Sequence, residues 1–330
     1  MSRLILAGDI GGTKTDLALY ALDDDGALRV TRERLFPSHD YGGLEAVLGA
    51  FVAADDHIAG AAFGIAGPVV DERVVTTNLP WVVAAESLRS ALRTPHVRLL
   101  NDLEAMALGA LHLDPQHLLT INEGVGRPGN RAVIAAGTGL GQALLFWDGA
   151  RHRPAATEGG HADFAPRDDL ETELLRFLRV RFGGHVSYER VVSGPGLLNV
   201  FEYLTRDRGM AMSDAVRARL QHDDPSAVIG AAGVDGSCTT CAEAVRIFID
   251  VYGAQAGNLA LATMAIGGVY VGGGIVGKML PRMHDGRFLH AFTDKGRYAK
   301  LLAEIPVRVI LDPLAGRLGA AHAAAALLDA

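Results

Sequence analysis

The chain has 330 residues, a formal net charge of −7 and a hydrophobic content of 49%. This length exceeds what one hydrophobic core usually organises, so we expect two domains. The negative charge and the lack of a long basic run argue against nucleic acid or an anionic membrane as the main partner. No stretch approaches the roughly 18 apolar residues of a membrane span, and the first residues lack a signal-peptide pattern. We therefore expect a cytoplasmic protein with a small-molecule ligand.

The first motif is a strand, a glycine turn and a second strand over residues 6–20. Gly11 and Gly12 let the backbone approach a ligand closely, and residues 13–15 offer hydroxyls, N–H groups and a positive charge. Asp9 ends the first strand and could hold a hydrated metal ion. The spacing fits neither a Walker loop nor a dinucleotide fingerprint. The turn predicts a grip for a metal-bound polyphosphate, with an ordinary glycine-rich hairpin as the alternative.

The next strand ends at a pair of polar residues. The elements before it are predicted as a strand over 28–35, a helix over 43–54, a buried strand over 59–66, a polar loop over 76–81 and a short helix over 86–92. A strand over 97–100 then stops at Asn101 and Asp102, and helix formers follow over 103–111. The carboxyl ends of strands in open parallel sheets are where ligands bind. The competing explanation is that Asp102 only caps the helix.

The second half of the chain repeats the opening hairpin. A strand over 132–136, a Gly-Thr-Gly turn over 137–141 and a strand over 143–147 match it element by element. Two such hairpins, each beginning an α/β half, predict duplicated domains that face each other across a cleft. One phosphate-binding turn would then lie on each wall.

The rest of the second half reads as helices around two more strands. A glycine-bracketed polar segment over 158–164 is followed by helices predicted over 169–182, 196–205, 213–223 and 241–264. A strand over 270–276 runs into three glycines, on whose backbone a flat group can lie. A strand over 307–311 and an alanine-rich helix over 315–328 close the chain, and Gly316 and Gly319 predict close packing of that helix.

Cys238 and Cys241 are the only cysteines. The pair lacks the second half of a zinc site, and no thioredoxin-like pattern surrounds it. Chance spacing at a helix start is favoured over metal or redox chemistry.

Taken together, the motifs resemble the bacterial glucokinase family, which belongs to the fold group of sugar kinases, heat-shock protein 70 and actin. The segments that carry the resemblance are residues 8–15, 100–102, 137–141, 158–161, 188–196 and 272–274. It implies two actin-like (ribonuclease H-like) α/β domains, with mixed sheets flanked by helices and a ligand cleft between them. We expect a small domain of residues 1–105 plus the C-terminal helix 314–330, and a large domain of residues 106–313.

The resemblance implies ATP-dependent phosphorylation of glucose at its 6-hydroxyl, with Asp102 as the general base. The implied sugar-binding positions are Asn78, Asn101, Asp102, Gly137, Glu158, His161 and Glu189. The implied nucleotide- and phosphate-binding positions are Gly8, Asp9, Ile10, Gly11, Gly12, Thr13, Lys14, Thr15, Gly137, Thr138, Gly139, Gly194, Gly272, Gly273 and Gly274. Asp9 would hold Mg²⁺ through water. Carboxylates and an amide suit a hexose, because each can pair with two adjacent hydroxyls.

ATP and Mg²⁺ are the expected cofactors, and glucose and ATP the expected partners. Zinc is not expected, because no cysteine follows His161 until Cys238, whereas related repressors and sugar kinases place a thiolate zinc site shortly after such a segment. A homodimer is expected, since the family is often dimeric. Two alternatives stay open: a kinase for mannose, fructose or an N-acetylated amino sugar, and a non-catalytic sugar sensor or actin-type ATPase. The presence of Asp102 argues against the second.

Overall fold

Two mixed β-sheets, each with its own helices, and one short two-stranded antiparallel sheet make up the computed structural model, which describes residues 3–76 and 78–328. Residues 1–2 and 329–330, the limits expected for the small domain, lie outside the described residues. Thr77, in the predicted loop over 76–81, also lies outside them. The strands of the first half are β1 (Arg3–Ile10), β2 (Lys14–Leu22), β3 (Leu28–Pro37), β4 (Ile58–Ile65), β5 (Arg73–Val75), β6 (Val82–Ala84) and β7 (Val97–Asn101). Its helices are α1 (Leu44–Phe51), α2 (Ala85–Leu92) and α3 (Asp102–Ala110).

The second half is larger and richer in helix. Its strands are β8 (Leu118–Asn122), β9 (Arg131–Ala136), β10 (Leu140–Trp147), β11 (His152–Thr157), β12 (Gly268–Gly272) and β13 (Val307–Ile310). Its helices are α4 (Asp169–Phe182), α5 (Gly194–Arg206), α6 (Asp214–Arg219), α7 (Pro225–Val234), α8 (Thr239–Thr263), α9 (Val276–Met283), α10 (Arg287–Thr293), α11 (Ala299–Ala303) and α12 (Ala315–Ala326).

The two sheets share one strand order. The first runs β3-β2-β1-β4-β7, and the second runs β11-β10-β9-β12-β13 with β8 added at its edge. In each, three consecutive strands form an antiparallel meander, β1–β3 in the first sheet and β9–β11 in the second. The next strand of the sheet, β4 or β12, pairs parallel with the first strand of the meander, and β7 or β13 pairs parallel with that strand in turn. The predicted duplication and the predicted α/β class with mixed, helix-flanked sheets are therefore confirmed.

Most predicted elements lie where the residue patterns placed them. The helix predicted over 169–182 matches α4, and the one predicted over 241–264 is α8, which starts two residues earlier. The helix predicted over 213–223 is wrong in length, because α6 ends at Arg219 and α7 begins at Pro225 under an Asp224 cap. The strand predicted over 270–276 ends at Gly272, because Gly273 turns the chain with a φ of 96°.

Helices cover both faces of the first sheet. Apolar side chains of α1 and α2, such as Leu44 and Leu88, pack with Leu6 and Leu17 on one face. On the opposite face the alanines of α12 pack against Ile5, Ala7 and Ala18. Successive residues of β1 point to opposite faces of the sheet, so they contribute to two hydrophobic cores, one on each face.

Helix α3 lies between the two sheets and crosses α12 closely. Its Ala105 belongs to the core under α12, whereas its Ala107 and Ala110 pack against Val133 of the second sheet. At the crossing, a Cβ on Gly109 would lie 1.8 Å from the carbonyl oxygen of Ala315, and a Cβ on Gly319 would lie 1.8 Å from that of Ala105. The close packing predicted from the glycines of α12 is confirmed.

Helix α8 is the buried core of the second half. The Tyr252 hydroxyl lies 3.0 Å from the carbonyl oxygen of Ile134 and 3.1 Å from that of Gly272, so it joins the ends of β9 and β12. Cys238 caps α8, and its Sγ accepts a hydrogen bond from the Cys241 N–H at 3.3 Å. The cysteines therefore lie at a helix start, as predicted. No helix in the described ranges has the length and apolar character needed to cross a membrane.

We predict that Gly319→Ala lowers the free energy of unfolding by about 3 kcal/mol, because the added methyl group meets backbone that cannot move aside independently. Urea unfolding followed by circular dichroism measures the change. Gly49→Ala in α1 is the matched control, since a Cβ there meets no atom within 4 Å. An unchanged midpoint for Gly319→Ala would contradict the packing described at the α3–α12 crossing.

Candidate active site

The turn between β1 and β2 is held in shape by hydrogen bonds from Ser38. Ser38 Oγ donates to the carbonyl oxygen of Gly11 at 2.9 Å, and its backbone N–H donates to that of Thr13 at 3.0 Å. Thr15 is fully buried, and its Oγ1 lies 3.0 Å from Ser38 Oγ. Because Ser38 uses its proton on Gly11, the Thr15 hydroxyl is the donor to Ser38. Thr15 therefore shapes the turn rather than lining it.

The other predicted residues of this turn divide into buried and exposed groups. Gly8 and Ile10 are buried in the sheet, and a Cβ on Gly8 would lie 2.7 Å from the Leu17 side chain. Thr13 and Lys14 are exposed. A Cβ on Gly12 would lie 2.6 Å from Asn78 Cβ, so the structure places Asn78, predicted to bind sugar, against this turn. Backbone N–H groups and the exposed side chains thus form the surface available to phosphate.

Asp9 lies at the end of β1, opposite Asp16 of β2 in the sheet register. The pKa of Asp9 is raised to about 7, mainly by burial and then by repulsion from Asp102 and Asp16, while attraction to Arg317 opposes the rise. A carboxylate in such surroundings is stabilised when a cation approaches. A single carboxylate is also the usual protein contribution to Mg²⁺ held with nucleotide phosphates. The chemistry of Asp9 therefore fits the predicted metal position.

Asn101, not Asp102, is the N-cap of α3. Its Oδ1 accepts from the Leu103 N–H at 2.9 Å, its Nδ2 donates to the carbonyl oxygen of Gly67 at 3.1 Å, and Glu104 completes a capping box. Asn101 thus spends part of its hydrogen-bonding capacity on the fold, with one N–H and one lone pair left over. The explanation that Asp102 is only a cap does not apply.

Asp102 is the first residue of α3 and lies near both halves of the molecule. It is close enough to Asp9 and to Glu158 for charge repulsion with each. The next residue, Leu103, packs against Gly141 at the end of the second glycine turn, where a Cβ would lie 2.3 Å from Leu103 Cδ2. Burial is the main cause that raises the pKa of Asp102 to about 6, against the hydrogen bond from the Leu103 N–H. A carboxyl with this pKa is ionised at neutral pH and can accept a proton.

Three of the predicted sugar-binding side chains converge. His161 Nε2 lies 3.9 Å from Glu158 Oε2 and 4.0 Å from Glu189 Oε2. Glu189 Oε2 also accepts from the Leu140 N–H at 3.0 Å, which ties this group to the second glycine turn. The Glu158 and His161 side chains are 63% and 59% exposed, so they remain available to a ligand.

The second glycine turn, residues 137–141, and the third, residues 272–274, lie side by side. The Gly194 N–H donates to the carbonyl oxygen of Gly137 at 2.9 Å, which brings the start of α5 to the second turn. Gly273 requires glycine, because its φ is 96° and a Cβ would lie 2.2 Å from the carbonyl oxygen of Ala136. Thr138 and Gly274 are exposed. The nucleotide-binding positions predicted in the second half therefore lie together: Gly137, Thr138, Gly139, Gly194 and residues 272–274.

Sequence reasoning missed three residues that shape the site: Ser38, Gln142 and Arg317. Gln142 is buried, and its Oε1 lies 2.4 Å from where a Cβ of Gly159 would be, next to Glu158. Arg317 is buried on α12 and pairs with Asp16, the neighbour of Asp9 in the sheet. Each acts on a segment distant along the chain, so no local pattern could have shown its role.

The arrangement can support phosphoryl transfer to a hydroxyl group. A proton-accepting carboxylate, Asp102, lies near the carboxylate of the first glycine turn and near a cluster of hydroxyl-binding side chains. Within residues 3–76 and 78–328, no three metal-ligating side chains gather into a closed metal centre. A metal here would depend on the phosphates of the ligand for most of its coordination.

Comparison with known proteins identifies the family. A family model described as Glucokinase matches residues 6–327. A glucokinase from Nostoc sp. (strain PCC 7120) is 42% identical, and the match covers 98% of this chain and 99% of that protein. The crystal structure of a glucokinase from an Antarctic psychrotroph, 31% identical, covers 100% of both chains with a TM-score of 0.86. A ROK family glucokinase from Streptomyces griseus, in complex with glucose and AMPPNP, shares the fold at 21% identity, with a TM-score of 0.64 and coverage of 97% and 99%. The chain belongs to the bacterial glucokinase family.

Proposed function

We propose that this chain transfers the γ-phosphoryl group of ATP to the 6-hydroxyl of glucose, with Asp102 as the general base. The observation that carries the assignment of the base is the position of Asp102. It begins α3 without being its cap, and it lies within charge range of both Asp9 and Glu158. A base so placed can reach a sugar hydroxyl and the phosphate that the hydroxyl attacks.

Asp102 accepts the proton of the primary hydroxyl as that oxygen attacks the γ-phosphorus in line. The new bond joins the sugar oxygen to phosphorus, and the bond from phosphorus to the bridging oxygen breaks, which leaves ADP. A general base of this kind contributes about 10²- to 10⁴-fold to the rate. The pKa of Asp102, about 6, leaves the carboxylate ionised at neutral pH without making it a negligible base.

Glu158, His161 and Glu189 hold the sugar through its hydroxyl groups. Their carboxylate and imidazole atoms lie close enough together to contact adjacent hydroxyls of one ring. Once the domains close around the sugar, one that lacks or inverts one of these hydroxyls leaves a buried polar group unpaired, at a cost of about 1 to 3 kcal/mol. Asn101 adds one remaining N–H, and Asn78 reaches the site from beside Gly12.

The nucleotide lies across the glycine turns. Gly11, Gly12 and Thr13 bind phosphate on one wall, Gly137, Thr138 and Gly139 on the other, and residues 272–274 with Gly194 carry the adenosine. Lys14 is exposed and within reach of the same phosphates. Asp9 would hold Mg²⁺, which would supply positive charge to neutralise the phosphoryl oxygens. Gly8, Ile10 and Thr15 act by shaping the first turn.

The protein is a homodimer. Within each chain, the two halves form domains that close on the sugar. The small domain comprises residues 1–105 with the C-terminal helix 314–330, and the large domain residues 106–313. Support comes from α12, which packs on the first sheet, and from α3, which contacts both sheets. Closure would expel the water that otherwise hydrolyses ATP.

Asp102→Asn should lower kcat by about 10²- to 10⁴-fold while glucose binds nearly as before, because the amide keeps hydrogen bonds but accepts no proton. A coupled assay for glucose 6-phosphate and calorimetric titration with glucose measure the two effects. Asp168→Asn, which changes the cap of α4 away from the site, is the matched control. Near-normal kcat in Asp102→Asn would remove Asp102 from the mechanism.

The pH profile should report the same carboxyl. The pKa of Asp102 is raised to about 6, so its base form is lost as pH falls through that value. We predict that kcat/KM for glucose, measured at saturating MgATP so that the bound cation keeps Asp9 ionised, is level near pH 7.5 and falls about tenfold per unit below pH 6. The same raised pKa means that the ionised carboxyl opposes folding at neutral pH, so Asp102→Asn should not lower Tm. A flat profile down to pH 5 would contradict the assignment.

Small-angle scattering tests closure and assembly together. Glucose should reduce the radius of gyration, because the domains rotate about α3 and α12 towards each other. The forward scattering should correspond to twice the mass of the chain. Dimensions that do not change with saturating glucose would count against closure, and a mass of one chain would exclude the homodimer.

A further inference from the structure

The first turn of the C-terminal helix lies directly against Asp9, although more than 300 residues separate them along the chain. A Cβ on Gly316 would lie 3.1 Å from Asp9 Oδ2 and 3.3 Å from Asp9 Cγ. Gly316 is buried, and it is the second residue of α12. Because Gly316 has only a hydrogen atom in place of a side chain, the helix can contact the Asp9 carboxylate. Any side chain at this position would have to displace that carboxylate.

The next residue, Arg317, is a buried cation that ties α12 to the phosphate-binding hairpin. Only 3% of Arg317 is exposed, and its Nη1 donates to Asp16 Oδ1 at 2.7 Å. Its Nη2 donates to Glu33 on the edge strand β3. A guanidinium removed from water depends on such charged partners. The ion pairs therefore fix the start of α12 on β2 and β3, beside Asp9.

The same cation balances a concentration of negative charge. Asp9 experiences repulsion from both Asp102 and Asp16, and Arg317 is the cation that attracts it. Since Asp16 lies opposite Asp9 in the register of β1 and β2, Arg317 both neutralises Asp16 and acts on Asp9. Without Arg317, two carboxylates would face each other across a strand pair with no counter-charge.

We propose that Arg317 and Gly316 are positioning residues for Asp9, so that the first turn of α12 is a structural part of the nucleotide site. Arg317 holds the hairpin and offsets the charge of Asp16, and Gly316 leaves space for the Asp9 carboxylate. This inference rests on the proposed role of Asp9 in holding the cation that accompanies ATP. It assigns a function in nucleotide binding to a helix at the opposite end of the sequence.

Equilibrium binding of ADP in the presence and absence of Mg²⁺, without sugar, tests the proposal. Calorimetric titration of Arg317→Met should show MgADP affinity reduced by about tenfold or more, the usual effect of removing a group that orients a metal-binding carboxylate. Binding of metal-free ADP should change much less, and glucose affinity should stay the same. Arg317→Lys keeps the charge and should recover part of the MgADP affinity. Gly316→Ala should also weaken MgADP binding, because its methyl group displaces the carboxylate.

Two control variants separate positioning from general stability. Arg167→Met removes a comparable ion pair, between Arg167 and the buried Glu171 of α4, and Gly230→Ala adds a methyl group in α7 with ordinary contacts at 3.6 Å. Both should leave MgADP affinity unchanged, even where Arg167→Met lowers Tm. If the Arg317→Met variant does not fold, the MgADP affinities of Gly316→Ala and Arg317→Lys are used to test the proposal.

The Asp9→Asn variant, measured in the same way, distinguishes failure of the positioning role from failure of the proposed role of Asp9. If Asp9→Asn weakens MgADP binding but Arg317→Met and Gly316→Ala do not, the positioning role is overturned and the role of Asp9 stands. If Asp9→Asn itself leaves the Mg²⁺ dependence of ADP binding unchanged, the proposed role of Asp9 fails and the inference falls with it. Equal losses of MgADP and metal-free ADP affinity in Arg317→Met would also overturn the proposal, because they indicate a general distortion of the hairpin.

Discussion

The close crossing of α3 and α12 is the contact on which the rest of the structure depends. Gly109 and Gly319 let each helix approach the backbone of the other, and no larger residue fits either position. Because α3 also contacts both sheets, the crossing fixes where its first residue, Asp102, lies relative to the two glycine turns. The other helix brings Gly316 to Asp9. One pair of helices therefore positions two acidic residues of the site, Asp9 and Asp102.

Opposing electrostatic effects act on Asp102. Its place in the first turn of α3 favours the ionised form, since the free N–H groups of a helix start stabilise negative charge. Burial and the nearby Glu158 favour the neutral form and raise the pKa of Asp102 to about 6. The balance suits a base at neutral pH, which must be ionised before the reaction and still attract a proton during it. Neither effect alone would give that balance.

The sequence predicts elements whose pattern is local and misses those whose role is not. The hairpins, α4 and α8 have clear apolar periodicity or glycine turns, and they lie where expected. Strands β5, β6, β8 and β11 are short, half-exposed or at sheet edges, so their residues show little alternation. Within the site, the glycines and acidic residues could be predicted from the chain. The burial of Thr15 could not, because Ser38, which accepts its hydrogen bond, lies 23 residues further along the chain, just after the end of β3.

The return of α12 to the first sheet bears on how the protein is made. A ribosome releases the strands of the first sheet early, but the alanines that cover one face of β1 and β2 belong to residues 315–326. Until these emerge, Ile5, Ala7 and Ala18 lack the alanines of α12 that cover them, and the buried partner of Asp16 is missing. The half that is synthesised first is thus completed last. The nascent chain therefore exposes an apolar sheet face until α12 has been synthesised, and exposed apolar surface of this kind promotes aggregation.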